Sequence, residues 1–219
     1  MDSEKVLKII ADESARTKND LKQLSPEKSI TNFYQRHNQI VSAVLKKEQN
    51  HIDCKESCSY CCYFKVEVKA IEIIAIVNFV EKRFSQETIN TLLDKAQKNI
   101  SEFENIDYKT QVATNQACPF LENNSCSIYE VRPSKCRNNH ATDVNLCKAC
   151  YDTPTDNSIP SSYHKPLHLV LSGLTRGFEA AFKNVKYDMT SYDINNAFIA
   201  ALNNKKFIKR YLKGKKSLI

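Results

Sequence analysis

Glycine is nearly missing from this chain. Only Gly173, Gly177 and Gly214 occur, so none precedes position 173. That excludes a G-x-G-x-x-G dinucleotide loop and a Walker A loop, both of which need glycine where backbone approaches phosphate. It also argues against the glycine-rich nucleotide turn usual in methyltransferases. Long apolar runs are missing too. The greasiest stretch, 71–80, is broken by Glu72 and Asn78 and falls far short of the roughly 20 residues a membrane span needs. The opening MDSEKVLKIIADES is charged within its first five residues and shows no apolar signal core, which leads to the expectation of a soluble, cytoplasmic protein.

Acidic residues are absent after Asp193. Seven of the 32 Lys and Arg lie in 205–216 (Lys205, Lys206, Lys209, Arg210, Lys213, Lys215 and Lys216), so the formal +7 belongs to this tail while the body is balanced. No basic stripe runs through the body, so nucleic acid is not an expected partner. Phe207, Ile208, Tyr211 and Leu212 alternate with the tail's basic residues at helical spacing. The preferred reading is a final helix docked by its apolar side, rather than an interfacial helix. With 42% apolar and 26% charged residues the chain is too apolar to be disordered.

Helical patterns are predicted over 3–24, 26–49, 70–84, 86–104, 163–184, 193–203 and 205–213. Val6, Leu7, Ile10, Leu21 and Leu24 form a broken stripe in the first. The second carries Ile30, Phe33, His37, Ile40, Val41 and Val44, with His37 read as a core histidine. Ser25-Pro26-Glu27 and Ser85-Gln-Glu-Thr88 read as helix starts. Residues 64–69 alternate like a short strand. Across 106–160 no amphipathic run of helix length is seen, and Asn123-Asn124, Asn138-Asn139 and Asp156-Asn157 offer turn chemistry. So long an irregular segment inside a compact domain needs something to organise it.

Cysteine is abundant where regular structure is not. The first box holds Cys54, Cys58, Cys61 and Cys62; the second holds Cys118, Cys126 and Cys136; the pair Cys147 and Cys150 follows. In a reducing compartment such density points to metal rather than disulfides. Spacings of two to four residues let thiolates curl around one ion, and zinc or an iron–sulfur cluster takes four of them. All nine cysteines are candidate ligands. Read from spacing, Cys54, Cys58 and Cys61 or Cys62 form one set closed by Cys136. Cys118, Cys126, Cys147 and Cys150 form a second set, unless Cys147 and Cys150 are a local addition. Arg132 and Arg137, on either side of Cys136, could offset thiolate charge or simply hold a turn. His51 and His140 flank the boxes as substitute or supporting ligands. His164 and His168, at i and i+4, are a capping or surface pair with metal ligation as the alternative.

C-x3-C-x2-C is also the radical-SAM spacing, but that fold needs many strands with glycine at their ends, which this chain lacks. Cys54, Cys58 and Cys61-Cys62, then Cys118-Pro-Phe-Leu121 and Cys126-Ser-Ile-Tyr-Glu-Val-Arg-Pro-Ser-Lys-Cys136-Arg137, resemble the YkgJ-type cysteine-cluster family, described as holding a zinc- or iron-chelating CxxCxxCC domain. Val66-Glu-Val68 and the helix after it are also similar. The resemblance covers about 50–140, with C-x3-C where the family name has C-x2-C. It implies bound zinc or iron, the iron in one form as a 4Fe-4S cluster. The flagellin lysine N-methylases carry a similar box, so one alternative is an iron–sulfur-dependent enzyme that modifies another protein. A zinc-scaffolded module that binds a protein partner is the other.

The expected architecture is mainly α: an N-terminal helical pair (1–49), a loop-dominated cysteine core (50–160) embedding helices at 70–104, and C-terminal helices with the basic tail (161–219). One compact domain with room for a short β-hairpin is expected.

Overall fold

The computed structural model describes residues 3–47, 52–55 and 57–213, with the side chains of Lys47 and Lys205 left aside. His51, Lys215 and Lys216 therefore lie outside the described residues. The protein is mainly α-helical, with ten α-helices and two short antiparallel strand pairs among the described residues.

Helices α1 (Ser3–Gln23) and α2 (Pro26–Lys47) form the expected pair. α1 differs from the stripe expected of it: Leu7 and Leu24 are exposed, and its buried positions are the polar Glu13 and Thr17. The reason is its principal neighbour, α8 (Lys165–Asn184). Gly173 and Gly177 lie one turn apart on α8, and a Cβ added at Gly177 would stand 2.6 Å from the Ile10 carbonyl oxygen. The helices thus approach closely over small side chains. Arg36 of α2 then pairs with buried Glu13 at 2.6 Å and with Asp20 at 2.9 Å, tying the two N-terminal helices together.

β1 (Glu67–Lys69) leads into α3 (Ala70–Arg83), which is buried almost all round through Ile71, Ile73, Ile74, Ile76, Val77 and Val80. Ser85 caps α4 (Gln86–Phe103) by accepting from the Thr88 N–H, as its sequence predicts. α5 (Tyr108–Val112) follows. β2 (Leu121–Glu122) and β3 (Ser125–Cys126) form a hairpin around Asn123 and Asn124, whose positive φ values of 48° and 62° suit asparagine in a tight turn. α6 (Ser134–Arg137) carries Cys136, and α7 (Val144–Asp152) carries Cys147 and Cys150. α7 corrects the expectation that 106–160 holds no true helix. Asp143 caps it by accepting from the Asn145 N–H, and it is only nine residues long with none of them fully buried, so it shows no long apolar stripe.

β4 (Ser191–Asp193) pairs with β1, Val68 opposite Tyr192, a union of segments more than 120 residues apart that local pattern did not reveal. α9 (Ile194–Asn203) and α10 (Lys205–Leu212) complete the chain. Phe207 and Tyr211 of α10 are buried, and Ile208 and Leu212 pack on the core edge, so the basic helix docks by its apolar side. A continuous apolar cluster joins residues of α2, α3, α4, α8, α9 and α10, including the stacked Phe33–Phe178 pair at 4.3 Å. No helix among the described residues is long and apolar enough to cross a membrane.

Candidate metal centre

The cysteine segments are laced together by main-chain hydrogen bonds. Cys118 N–H donates to the Cys62 carbonyl at 2.8 Å and Gln116 N–H to that of Tyr63 at 2.9 Å. On the other side, Asp53 N–H donates to the Ala141 carbonyl at 2.8 Å, and Val144 N–H donates to the Asp53 carboxylate. Residues 140–142 are held in turn against 162–164 through the Thr142→Ser162 and His164→His140 main-chain bonds. A 3-10 turn at Tyr60–Tyr63 holds Cys61 and Cys62 beneath α7, where Tyr151 packs on Tyr60 and Tyr63 at ring separations of 5.7 and 4.8 Å. This aromatic cluster is a positioning element that the cysteine pattern did not signal. The alternation of Tyr and Cys in Tyr60-Cys-Cys-Tyr63 and Cys150-Tyr151 was the available clue.

All nine cysteines are free thiols. Through space they are linked by Cys61, which lies within electrostatic reach of Cys54, Cys118, Cys126, Cys136 and Cys147. Cys118, Cys126 and Cys136 each sense one another's charge or that of Cys61. Cys54 senses Cys58, Cys61 and Cys147, and Cys147 senses Cys58 and Cys61. Cys61 also hydrogen-bonds with Cys62. Cys147 senses Cys58 and Cys61, and Cys136 senses Cys61 and Cys126, so neighbours come from both of the sets read from spacing. α7 docks on the 3-10 turn, whereas α6 lies beside α3 and Cys118. Among the described residues no three Cys, His, Asp or Glu side chains form a preformed coordination cage.

The chemistry of the donors nevertheless suits a soft cation. Burial, then neighbouring thiols, pushes the Cys136 thiol up to about 12. Burial likewise drives the Cys54 thiol to about 11, though protein surrounds this rim residue only in part. Cys118 rises by burial and the charge of Cys136, and Cys61 rises first through its hydrogen bond to Cys62. Crowded half-buried thiols resist ionising together unless positive charge joins them. Backbone donors are already aimed at sulfur: Phe120 N–H at Cys118, Ile128 N–H at Cys126, and Ala141 N–H at Cys54 at 3.0 Å. The charge of Arg132 lowers Cys61, Cys126 and Cys136 together, while its guanidinium stacks 3.6 Å from the Tyr129 ring and donates to the Tyr129 carbonyl.

Arg137 does something different. It is 1% exposed, donates to the carbonyls of Arg132 and Glu130 and to Asn38 Oδ1, and stacks 3.8 Å from the Tyr34 ring. It holds the loop before Cys136 rather than a sulfur. Glu72, the buried acid interrupting the apolar run of α3, accepts from Lys69 N–H at 2.9 Å and Ser134 N–H at 2.7 Å. One carboxylate thereby starts α3 and anchors the first residue of α6. The lone acid in Ile71-Glu-Ile-Ile was its only sequence signal.

The histidines surround the same loop. His37 is buried in the core as expected, with Nε2 on Asn138 Oδ1 at 2.9 Å; burial lowers it to about 4. His164 Nδ1 accepts from Leu167 N–H and caps α8, while His168 Nδ1 meets the Asn138 carbonyl at 3.3 Å, so the pair does not act as a unit. His140 is 9% exposed, and burial lowers it to about 4. Beside Cys118 a cleft of about 220 Å³ opens, lined by Lys65, Asn99, Gln111, Gln116 and Asp193.

Residues 53–157 match the family model CxxCxxCC, described as a "putative zinc- or iron-chelating domain". Comparison with curated proteins and with solved structures finds no match.

Proposed function

We propose, since residues 53–157 match the CxxCxxCC family model, that this protein holds zinc or iron through its clustered cysteine thiolates. The metal would cross-link the least regular part of the fold. The observation that carries the reading is that thiols from separate chain segments, Cys54, Cys118, Cys126, Cys136 and Cys147, all have Cys61 within electrostatic reach, in a region laced by the Cys118–Cys62, Gln116–Tyr63 and Asp53–Ala141 main-chain bonds. Four of these thiolates would make up a tetrathiolate set. The cation would supply the positive charge that permits ionisation at pH 7; the chain supplies aimed N–H groups, the Arg132 charge and a loop held by Arg137 and Glu72.

The test is metal content and visible absorption of protein purified without oxygen, for wild type and Cys136→Ser. Tightly held zinc in colourless protein, or iron with sulfide in brown protein, is the expected result, with metal lost or weakened in the variant. Chelation should lower the melting temperature of the wild type. Metal-free wild type, or melting unaltered after chelation, would defeat the proposal.

A further inference from the structure

The cleft beside Cys118 forms where segments distant in sequence meet: the chain before β1, the end of α4, the approach to Cys118 and the start of α9. Its volume of about 220 Å³ leaves room for roughly seven water-sized groups at ~30 Å³ each. We infer that this cleft binds a primary alkylammonium ion. The charged head would lie on side-chain oxygens of Asn99, Gln116 and Asp193, and the aliphatic stem along Phe64, Ile100 and Phe103. Apart from Cys118, none of these groups enters the metal-binding reading above, and the inference goes beyond it.

Hydrogen-bond accounting selects the ligand's sign. The side-chain amides of the lining have turned most of their donors into the protein. Buried Asn99 spends both Nδ2 protons, on the Ala117 carbonyl and on Asn195 Oδ1, each at 2.9 Å. Gln111 Nε2 donates to the carbonyls of Phe103 at 3.3 Å and Ile106 at 3.0 Å, and Gln116 Nε2 donates to that of Asn99 at 2.9 Å. What these side chains leave for a ligand is oxygen, and an amide oxygen only accepts. Asp193 adds to this. Its Oδ1 caps α9 by accepting from the Asn195 N–H at 3.0 Å, while its Oδ2 stands 4.0 Å from Lys65 Nζ, beyond hydrogen-bond reach. Among the described residues the lining carries one cation, Lys65, against two carboxylates, Asp193 and Glu104, a formal balance of −1. The Lys65 ammonium is already held, by Gln111 Oε1 at 2.7 Å and over the Tyr108 ring at 5.4 Å. An anion would therefore face acceptors with no free donor set, whereas an ammonium brings the three donors that the oxygens lack. Apolar walls with a few placed polar groups are the usual make-up of a small-ligand site.

The experiment is calorimetric titration of the full chain, as purified, with pentylammonium, pentanol and pentanoate, one stem with three heads. Pentylammonium should bind saturably, one per chain, at least about tenfold more tightly than either of the others. Asp193→Asn keeps a cap for α9 and removes the charge, and should weaken pentylammonium by about tenfold. Lys65→Met, which removes the opposing cation, should tighten it by about threefold. Glu104→Gln, at an exposed position, should weaken it by about twofold and covers the case in which the Asp193 variant misfolds. Side-chain amide NMR should show Asn99 and Gln116 shifting with pentylammonium and not with pentanol. Nα-acetyl-lysine N-methylamide, run in parallel, tells an amine presented by a peptide from a free one by which binds more tightly. Absence of saturable binding by both amines, a preference for pentanoate, or weaker pentylammonium binding in Lys65→Met overturns the inference. None of these results bears on metal content, so failure here leaves the thiolate reading standing, and metal-free protein that binds pentylammonium would defeat that reading alone.

Discussion

Replacing Arg137 by alanine tests whether the loop carrying Cys136 is held by this one buried guanidinium. The side chain donates to two main-chain carbonyls, of Arg132 at 2.8 Å and of Glu130, and to Asn38 Oδ1 at 2.8 Å, with the Tyr34 ring 3.8 Å away. Asn38 is exposed and can turn to water, so its loss weighs little. Each buried carbonyl left without a donor costs about 1–3 kcal/mol. The desolvated cation–π contact adds up to about 2 kcal/mol. Against this, the variant no longer buries a cation, a penalty visible in the lowering of Arg137 by burial. The balance is a loss of about 3–5 kcal/mol, a large share of the 5–15 kcal/mol typical of a domain. At about 2–4 °C per kcal/mol for a chain of this size, melting should fall by roughly 10 °C. Arg137→Lys should recover less than half, because an ammonium cannot fork between two carbonyls and stack at once. The assay is urea unfolding and thermal melting of the stripped, reduced protein, so that metal does not mask the effect. A loss below about 1 kcal/mol for Arg137→Ala would refute the reasoning.

Other perturbations probe other parts of the fold. Gly177→Ala would gain about 1 kcal/mol from helix propensity alone. The structure nevertheless predicts a net loss of about 1–3 kcal/mol, since the added Cβ meets Ile10 O at 2.6 Å and Glu13 Cβ at 2.9 Å; a stabilised variant would show that α1 does not lie there. Folded His37 titrates at about 4 against 6.5 ordinarily, so the unfolded chain takes up that proton first. Its contribution is intact above pH 6.5 and is lost as pH falls toward 4, roughly 3 kcal/mol in all; His37→Leu should flatten the urea midpoint across that window, and an unchanged slope would contradict the burial. Phe207→Ala should cost about 3–5 kcal/mol while Lys209→Glu stays within about 0.5, because one side chain is buried and the other solvated. Equal effects in thermal melts would mean that α10 does not dock.

Much of this protein was legible along the chain, because the signals concerned are local. Apolar periodicity, Ser85 ahead of α4, and Asn123-Asn124 in the hairpin turn each act within a few residues, and each element formed where its pattern lies. The clustering of the nine cysteines in the least regular part of the chain was equally a matter of composition and spacing. α7 escaped notice because it is only nine residues long and buries none of them fully, leaving no long apolar stripe to read.

Tertiary structure decided what spacing cannot. The β1–β4 pair joins segments that carry no mutual signal, and the glycines that exclude phosphate loops proved to be the contact of α8 with α1. Arg132 and Arg137 look equivalent on either side of Cys136, yet one lies over the exposed Tyr129 ring and the other is buried on carbonyls and the Tyr34 ring. Most of all, distant cysteines were brought near one another: Cys147 comes within electrostatic reach of Cys54 and Cys58, and Cys136 of Cys118. Sequence determines which side chains can bind a soft ion, since that is a property of sulfur. Which sulfurs share one is a property of distance, and distance is set by helices packing over a common core.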